Sequence, residues 1–221
     1  MAPLDDDDDR VLDHLINGGF LSADEIKSTF LDEFLDGAVT EADRAEIGAE
    51  VDRRVAAAEE LQRKWTGATT YDRLERAFAR LNRSDQVVAM HNAGFTREAA
   101  MELVAAECKE RGGSRAGILG GVYYTEQDLE TALDTRVLRL GYFAIGPDAA
   151  ACDAGIAKMM PKVLSRLIAE DLPAAWNGDQ TSKIDITPLD WTKRLPTIEA
   201  TPTPRPNLLS RLFGSTTPTP S

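Results

Sequence analysis

The sequence predicts an α+β fold preceded by an acidic helical layer, and three observations lead there. The central order of elements is helix, strand, helix, strand, short helix, strand, helix, strand, strand. Two of the strands, Gly121–Thr125 and Val137–Ile145, are joined only by a short helical segment, Gln127–Leu133. A parallel crossover needs about a dozen residues or more, so this pair is expected to be antiparallel. Acidity is confined to one end: residues 1–60 hold 18 Asp and Glu against 5 Lys and Arg, and the rest hold 19 against 20. Together these features point to a ferredoxin-like split β-α-β antiparallel sheet with helices on one face.

Residues 1–9 contain the run Asp5 to Asp9, which reads as a disordered acidic tail, with some members placed to favour the next helix N-terminus. Residues 10–65 form the helical segment. Val11, Leu12, Leu15 and Ile16 share one face, stopped at Gly18-Gly19. Ser22 and Glu25 form a capping box, with Leu21 and Ile26 as the hydrophobic staple. Thr40 and Asp43 open a third helix whose stripe is Ile47, Val51, Val55, Ala58 and Leu61. Trp65 to Thr70 reads as a linker or sharp corner.

Residues 66–195 are the expected α+β domain. Tyr71, Leu74, Phe78 and Leu81 make a helical face. Gln86–His91 fits a strand, Asn92-Ala-Gly94 turns the chain, and Thr96 caps a helix carrying Met101, Val104, Ala105 and Cys108. The two joined strands follow. Asp148 caps a helix that Pro161 should kink or split. Leu172–Trp176 and Lys183–Thr187 read as a terminal hairpin turned at Asn177-Gly178. Residues 196–221 are rich in Pro and Thr and are expected to be disordered. They contain an apolar island, 207–213, whose Leu208, Leu209, Leu212 and Phe213 are candidates for interaction as a docking helix.

Taken in combination, several strings resemble a bacterial family with a domain of unknown function. They are Tyr71-Asp-Arg-Leu74 with Ala77-Phe78 and Leu81, Val88 through Phe95, Tyr124-Thr-Glu-Gln-Asp128, Leu138-Arg-Leu140-Gly-Tyr142, Trp176-Asn-Gly178 and Asp190-Trp191. The resemblance covers about residues 10–195. That family commonly carries Tyr-His before its Gln-Asp pair, where this chain has Thr125-Glu126. The resemblance implies a fold and a bacterial, cytoplasmic setting, and no activity.

Function classes are bounded by what the sequence lacks. The formal charge is −12, and no basic patch with interleaved aromatics is present, so nucleic acid is not an expected partner. No apolar run reaches the roughly 18 residues of a membrane span, and the N-terminus has no signal-peptide pattern. Two cysteines, Cys108 and Cys152, make no metal-type spacing, which suggests a reducing cytoplasm. No cofactor motif occurs: the Gly112 to Gly121 glycines lack phosphate-loop or dinucleotide spacing. The expectation is a non-enzymatic binding or regulatory protein of the cytoplasm with a protein partner. The alternative is an enzyme using Glu126 and Asp128 with His91. A role as N-cap or turn residue for Thr125 or Asp128 is the plainer one for that stretch.

Overall fold

In a computed structural model, which describes residues 4–34 and 40–196, seven α-helices surround a five-stranded mixed sheet. The N-terminal layer is α1 (Asp6–Gly18), α2 (Ala23–Thr29) running into a π turn at Phe30–Phe34, and α3 (Glu41–Arg63). The domain that follows is α4 (Thr70–Ser84), β1 (Val87–Met90), α5 (Arg97–Glu110), β2 (Gly120–Tyr123), α6 (Glu126–Thr135), β3 (Leu138–Ala144), α7 (Ala149–Ile168), β4 (Ala174–Ala175) and β5 (Ile184–Ile186). The tail beyond 196, including Leu208, Leu209, Leu212 and Phe213, lies outside the described residues.

Four helix starts have the reciprocal Ser/Thr and Glu/Asp bonds of a capping box: Ser22–Glu25, Thr40–Asp43, Thr69–Asp72 and Thr125–Asp128. The aspartate run is not a tail: α1 opens at Asp6, and Asp5 caps it by accepting from the Asp7 and Asp8 amides at 3.0 and 2.8 Å. Asp6 to Asp9 fill the first turn, where unsatisfied amides favour negative charge.

The α+β class holds, and β2 and β3 are antiparallel, as the short α6 connection requires. The strand order is β1-β2-β3-β5-β4. This corrects the expected split arrangement, because β1 and β2 are parallel neighbours with no strand between them. The 14-residue α5 plus its glycine-rich exit is long enough for a parallel crossover. Helix placement differs too. Val87 and Ala89 face α4 and α7, while Val88 and Met90 face α5, so helices cover both faces at this end. Gly121 makes the second face possible: a Cβ there would stand 2.2 Å from Val104 Cγ1 on α5. Phe143 joins the α5 side, opposite Leu138, Leu140 and Tyr142. Pro161 does not divide α7, which runs unbroken from Ala149 to Ile168. Met159, Met160 and Val163 are buried on either side of the proline and anchor both halves in one core.

One ion pair ties α4 to α7 and gives a pH-dependent prediction. The Asp85 carboxylate, 13% exposed, accepts from Arg166 Nε at 2.6 Å. Arg166 holds its pKa below the ordinary value, burial opposes this, and Lys162 adds to the depression. A depressed folded pKa contributes stability above the unfolded value of about 3.9, lost as pH falls through the folded value. Asp85→Asn is therefore expected to lose less stability than the parent between about pH 5 and pH 2. Urea titrations at several pH values would read this, and parallel declines would contradict it.

Candidate functional site

The helical layer and the α+β domain are joined by the extended segment 190–195. Its backbone and side chains meet three different helices. Tyr71 N–H donates to Thr192 O at 3.0 Å and Thr70 Oγ1 to Asp190 O at 2.6 Å, which fixes the segment to the start of α4. Trp191 Nε1 donates to Gly18 O at 3.3 Å, and Lys193 Nζ donates to Gly19 O at 2.6 Å, which fixes it to the end of α1. Leu195 N–H donates to Gln62 Oε1 at 2.8 Å on α3. Leu195 itself is buried with Leu12, Ile16, Ile26, Phe30, Val51 and Val55. Gly19 is required at this junction: its φ is +72°, and a Cβ would meet Lys193 O at 2.6 Å.

Where α1 and α3 stand off from α6 and this segment, a groove of about 760 Å³ remains. Asp6, Asp9 and Asp13 line it from α1, Asp134 from α6, and Asp190 from the C-terminal segment. Arg10 and Arg136 also line it. Arg54 reaches Asp9 and Asp13 from α3 at 2.6 and 3.4 Å, and Arg136 meets Asp190 at 2.6 Å. Five carboxylates thus face three guanidiniums, leaving the groove negative. His14, 15% exposed, joins its walls by placing Nε2 2.8 Å from Asp134 Oδ1. The remaining lining is apolar and aromatic, from Ala58, Leu61, Trp65, Leu133, Leu189 and Trp191. Leu61 on this lining is 56% exposed. Such a surface offers charge attraction and apolar contact side by side.

Trp191 backs the groove onto an aromatic cluster. Its ring lies 6.0 Å from Tyr71 and 6.0 Å from Tyr124, with Phe20 stacked at 6.5 Å. The Lys193 ammonium sits over Phe20 and Tyr71 at 4.6 and 4.5 Å, a cation–π pairing on both rings.

His91 belongs to that cluster. It packs 4.4 Å from Phe78 and 5.0 Å from Tyr71, with Nδ1 3.3 Å from Tyr124 Oη. Its Nε2 is 3.0 Å from Glu75 Oε2. His91 holds the Glu75 carboxyl below its ordinary pKa, and burial opposes that shift. Burial pushes the Tyr124 hydroxyl well above its usual range. Asp128 is buried elsewhere, at the start of α6. It accepts from Thr125 N–H at 3.1 Å, Thr125 Oγ1 at 2.9 Å and Lys183 Nζ at 2.6 Å. Glu126 shares the first turn of α6 with Asp128, and its amide donates to Gly94 O at 3.0 Å.

Neither His91, Glu126 nor Asp128 lines the groove. Each sits in a bonded setting of its own. Cys108 packs with Val88, Val104 and Tyr123 on the α5 side, and burial pushes its thiol up to about 11. A thiol so placed stays protonated and unreactive at neutral pH. Trp176 and Trp191 both pack against the main core, and Trp176 Nε1 donates to Tyr142 Oη at 3.0 Å. Among the described residues, no three His, Cys, Asp or Glu side chains are grouped to hold a metal ion, and no helix is long and apolar enough to cross a membrane.

The groove residues escape sequence reasoning because their contacts are remote. His14 meets Asp134 across 120 positions, and Leu195 meets Gln62 across 133. Only the acidity of the first 60 residues pointed toward this layer. No curated protein and no solved structure gives a significant match to the chain. A family model described as a domain of unknown function, DUF6891, matches residues 5–195, so the chain belongs to that family. The match ends at Leu195, the residue that closes the helical core.

Proposed function

We propose that this member of the family is a non-enzymatic binding or regulatory protein of the bacterial cytoplasm. Its groove takes a cationic, partly apolar segment of a partner protein. The observation that carries this reading is the groove itself, with five aspartates and two tryptophans around one opening between the helical layer and α6. Its volume suits a few side chains and exceeds what a structural void needs. The carboxylates attract lysine and arginine and repel nucleic-acid phosphates. The two free cysteines fit a reducing compartment. An enzyme built on Glu126, Asp128 and His91 is the weaker reading, because Asp128 is engaged by a cap and a lysine and His91 is boxed by aromatic rings.

The test is titration of the full chain with short amphipathic peptides bearing two or three arginines, alongside glutamate-substituted controls. Asp13→Lys combined with Asp190→Lys changes two exposed carboxylates, 60% and 78% accessible, and spares the core. Binding is expected for the arginine peptides alone and should weaken about tenfold in the double variant, which corresponds to about 1.4 kcal/mol. Failure of every peptide to bind, or equal binding by parent and variant, would sink the reading.

A further inference from the structure

We infer that the groove is covered in cis by residues 205–213 of this same chain, so that a partner must displace an internal competitor. This rests on the reading of the groove as a site for cationic segments.

Four observations converge. The first is where the described chain ends. Leu195 is locked beside Gln62, and Arg194 Nη2 donates to Trp65 O at 3.1 Å. Gln62 and Trp65 both line the groove, so residue 196 leaves the domain at its rim. The second is length. Twenty-five residues follow residue 196. The stretch from 196 to 205 spans up to about 30 Å when extended. That is enough to double back along α1 and α6.

The third is charge. Residues 205–213 read RPNLLSRLF, with Arg205 and Arg211 and no acidic residue. The groove they would enter holds Asp6, Asp9, Asp13, Asp134 and Asp190. The fourth is apolar pattern. Leu208, Leu209, Leu212 and Phe213 recur at helical spacing, which gathers them on one face. The groove lining offers Leu61, Trp65 and Leu133 to such a face. Tethering raises the segment's effective concentration at the groove above that of a free peptide, so a modest intrinsic affinity suffices.

Hydrogen exchange on the full chain tests this directly. The amides of residues 207–213 are expected to exchange at least about fivefold more slowly in the parent than in the Asp13→Lys/Asp190→Lys variant. Arg205→Glu combined with Arg211→Glu should abolish the same protection without touching any residue of the folded domain. It should also raise the affinity for the arginine peptides about tenfold. A synthetic peptide of residues 205–213 is titrated in parallel into the Arg205→Glu/Arg211→Glu chain.

Absence of protection with binding of that peptide overturns the cis contact and leaves the groove reading intact. Absence of both overturns the two together. Protection that grows with protein concentration and appears with a dimer mass overturns the cis contact in favour of a second copy.

Discussion

Gly120→Ala is expected to destabilise the protein by about 3 kcal/mol or more, placing it among the most damaging single substitutions. At this position a Cβ would fall 2.1 Å from Phe143 O and 2.7 Å from Ala144 Cα. Both are backbone atoms of β3, and Gly120 is in register with Ala144. A side-chain obstacle could rotate aside, whereas a strand backbone can move only by opening the ladder. The loss would extend to β1, because Gly120 also pairs with Val87 on its other side. Chemical denaturation of the variant reads the effect. A change below about 1 kcal/mol would mean that β2 and β3 are not as close at this end as described.

Asp128→Ala is the second large effect, at about 2–3 kcal/mol, summing a lost cap and a broken, largely buried ion pair. The side chain is 10% exposed and serves Thr125 and Lys183 together. Asp128→Asn should retain part of the cap and lose the negative charge that pairs with Lys183, giving a smaller loss. A cycle of Asp128→Ala with Lys183→Ala measures the pair, with coupling of about 1 kcal/mol expected. If Asp128→Ala were as stable as the parent, the carboxylate would be there for something other than capping, and a site at the start of α6 would have to be reopened.

These two residues mark what a sequence can disclose. The start of α6 was legible as a place for a cap or turn residue, Thr125 or Asp128, because capping is local; that the two act together as a box came only with the structure. The same rule revealed Ser22–Glu25 and Thr40–Asp43. Thr69–Asp72 obeys it as well but sits inside a stretch that reads as a linker. Helical periodicity exposed the core face of α4, where Leu74, Phe78 and Leu81 are all buried. Gly120 and Gly121 were legible only as glycines. Their role depends on β3 and α5, whose approach no local pattern encodes. Strand adjacency failed for that reason: the spacing of β1 and β2 allows a neighbour or a gap, and the glycine contacts decide it. The groove lay furthest from view, since its walls come from three stretches far apart in sequence: α1 and α3, α6, and residues 189–191.

The burial of Leu195 among α1, α2 and α3 bears on biogenesis. A polypeptide emerges from the ribosome N-terminus first, and its domains tend to fold in that order. Here the helices that emerge first lack one piece of their interior until residue 195 has been translated. Leu195 reaches them only through the 190–195 segment, which hangs from the start of α4 and from the loop after β5. The helical layer is therefore completed only after the whole α+β domain has been made, and Leu195 is the residue that completes it.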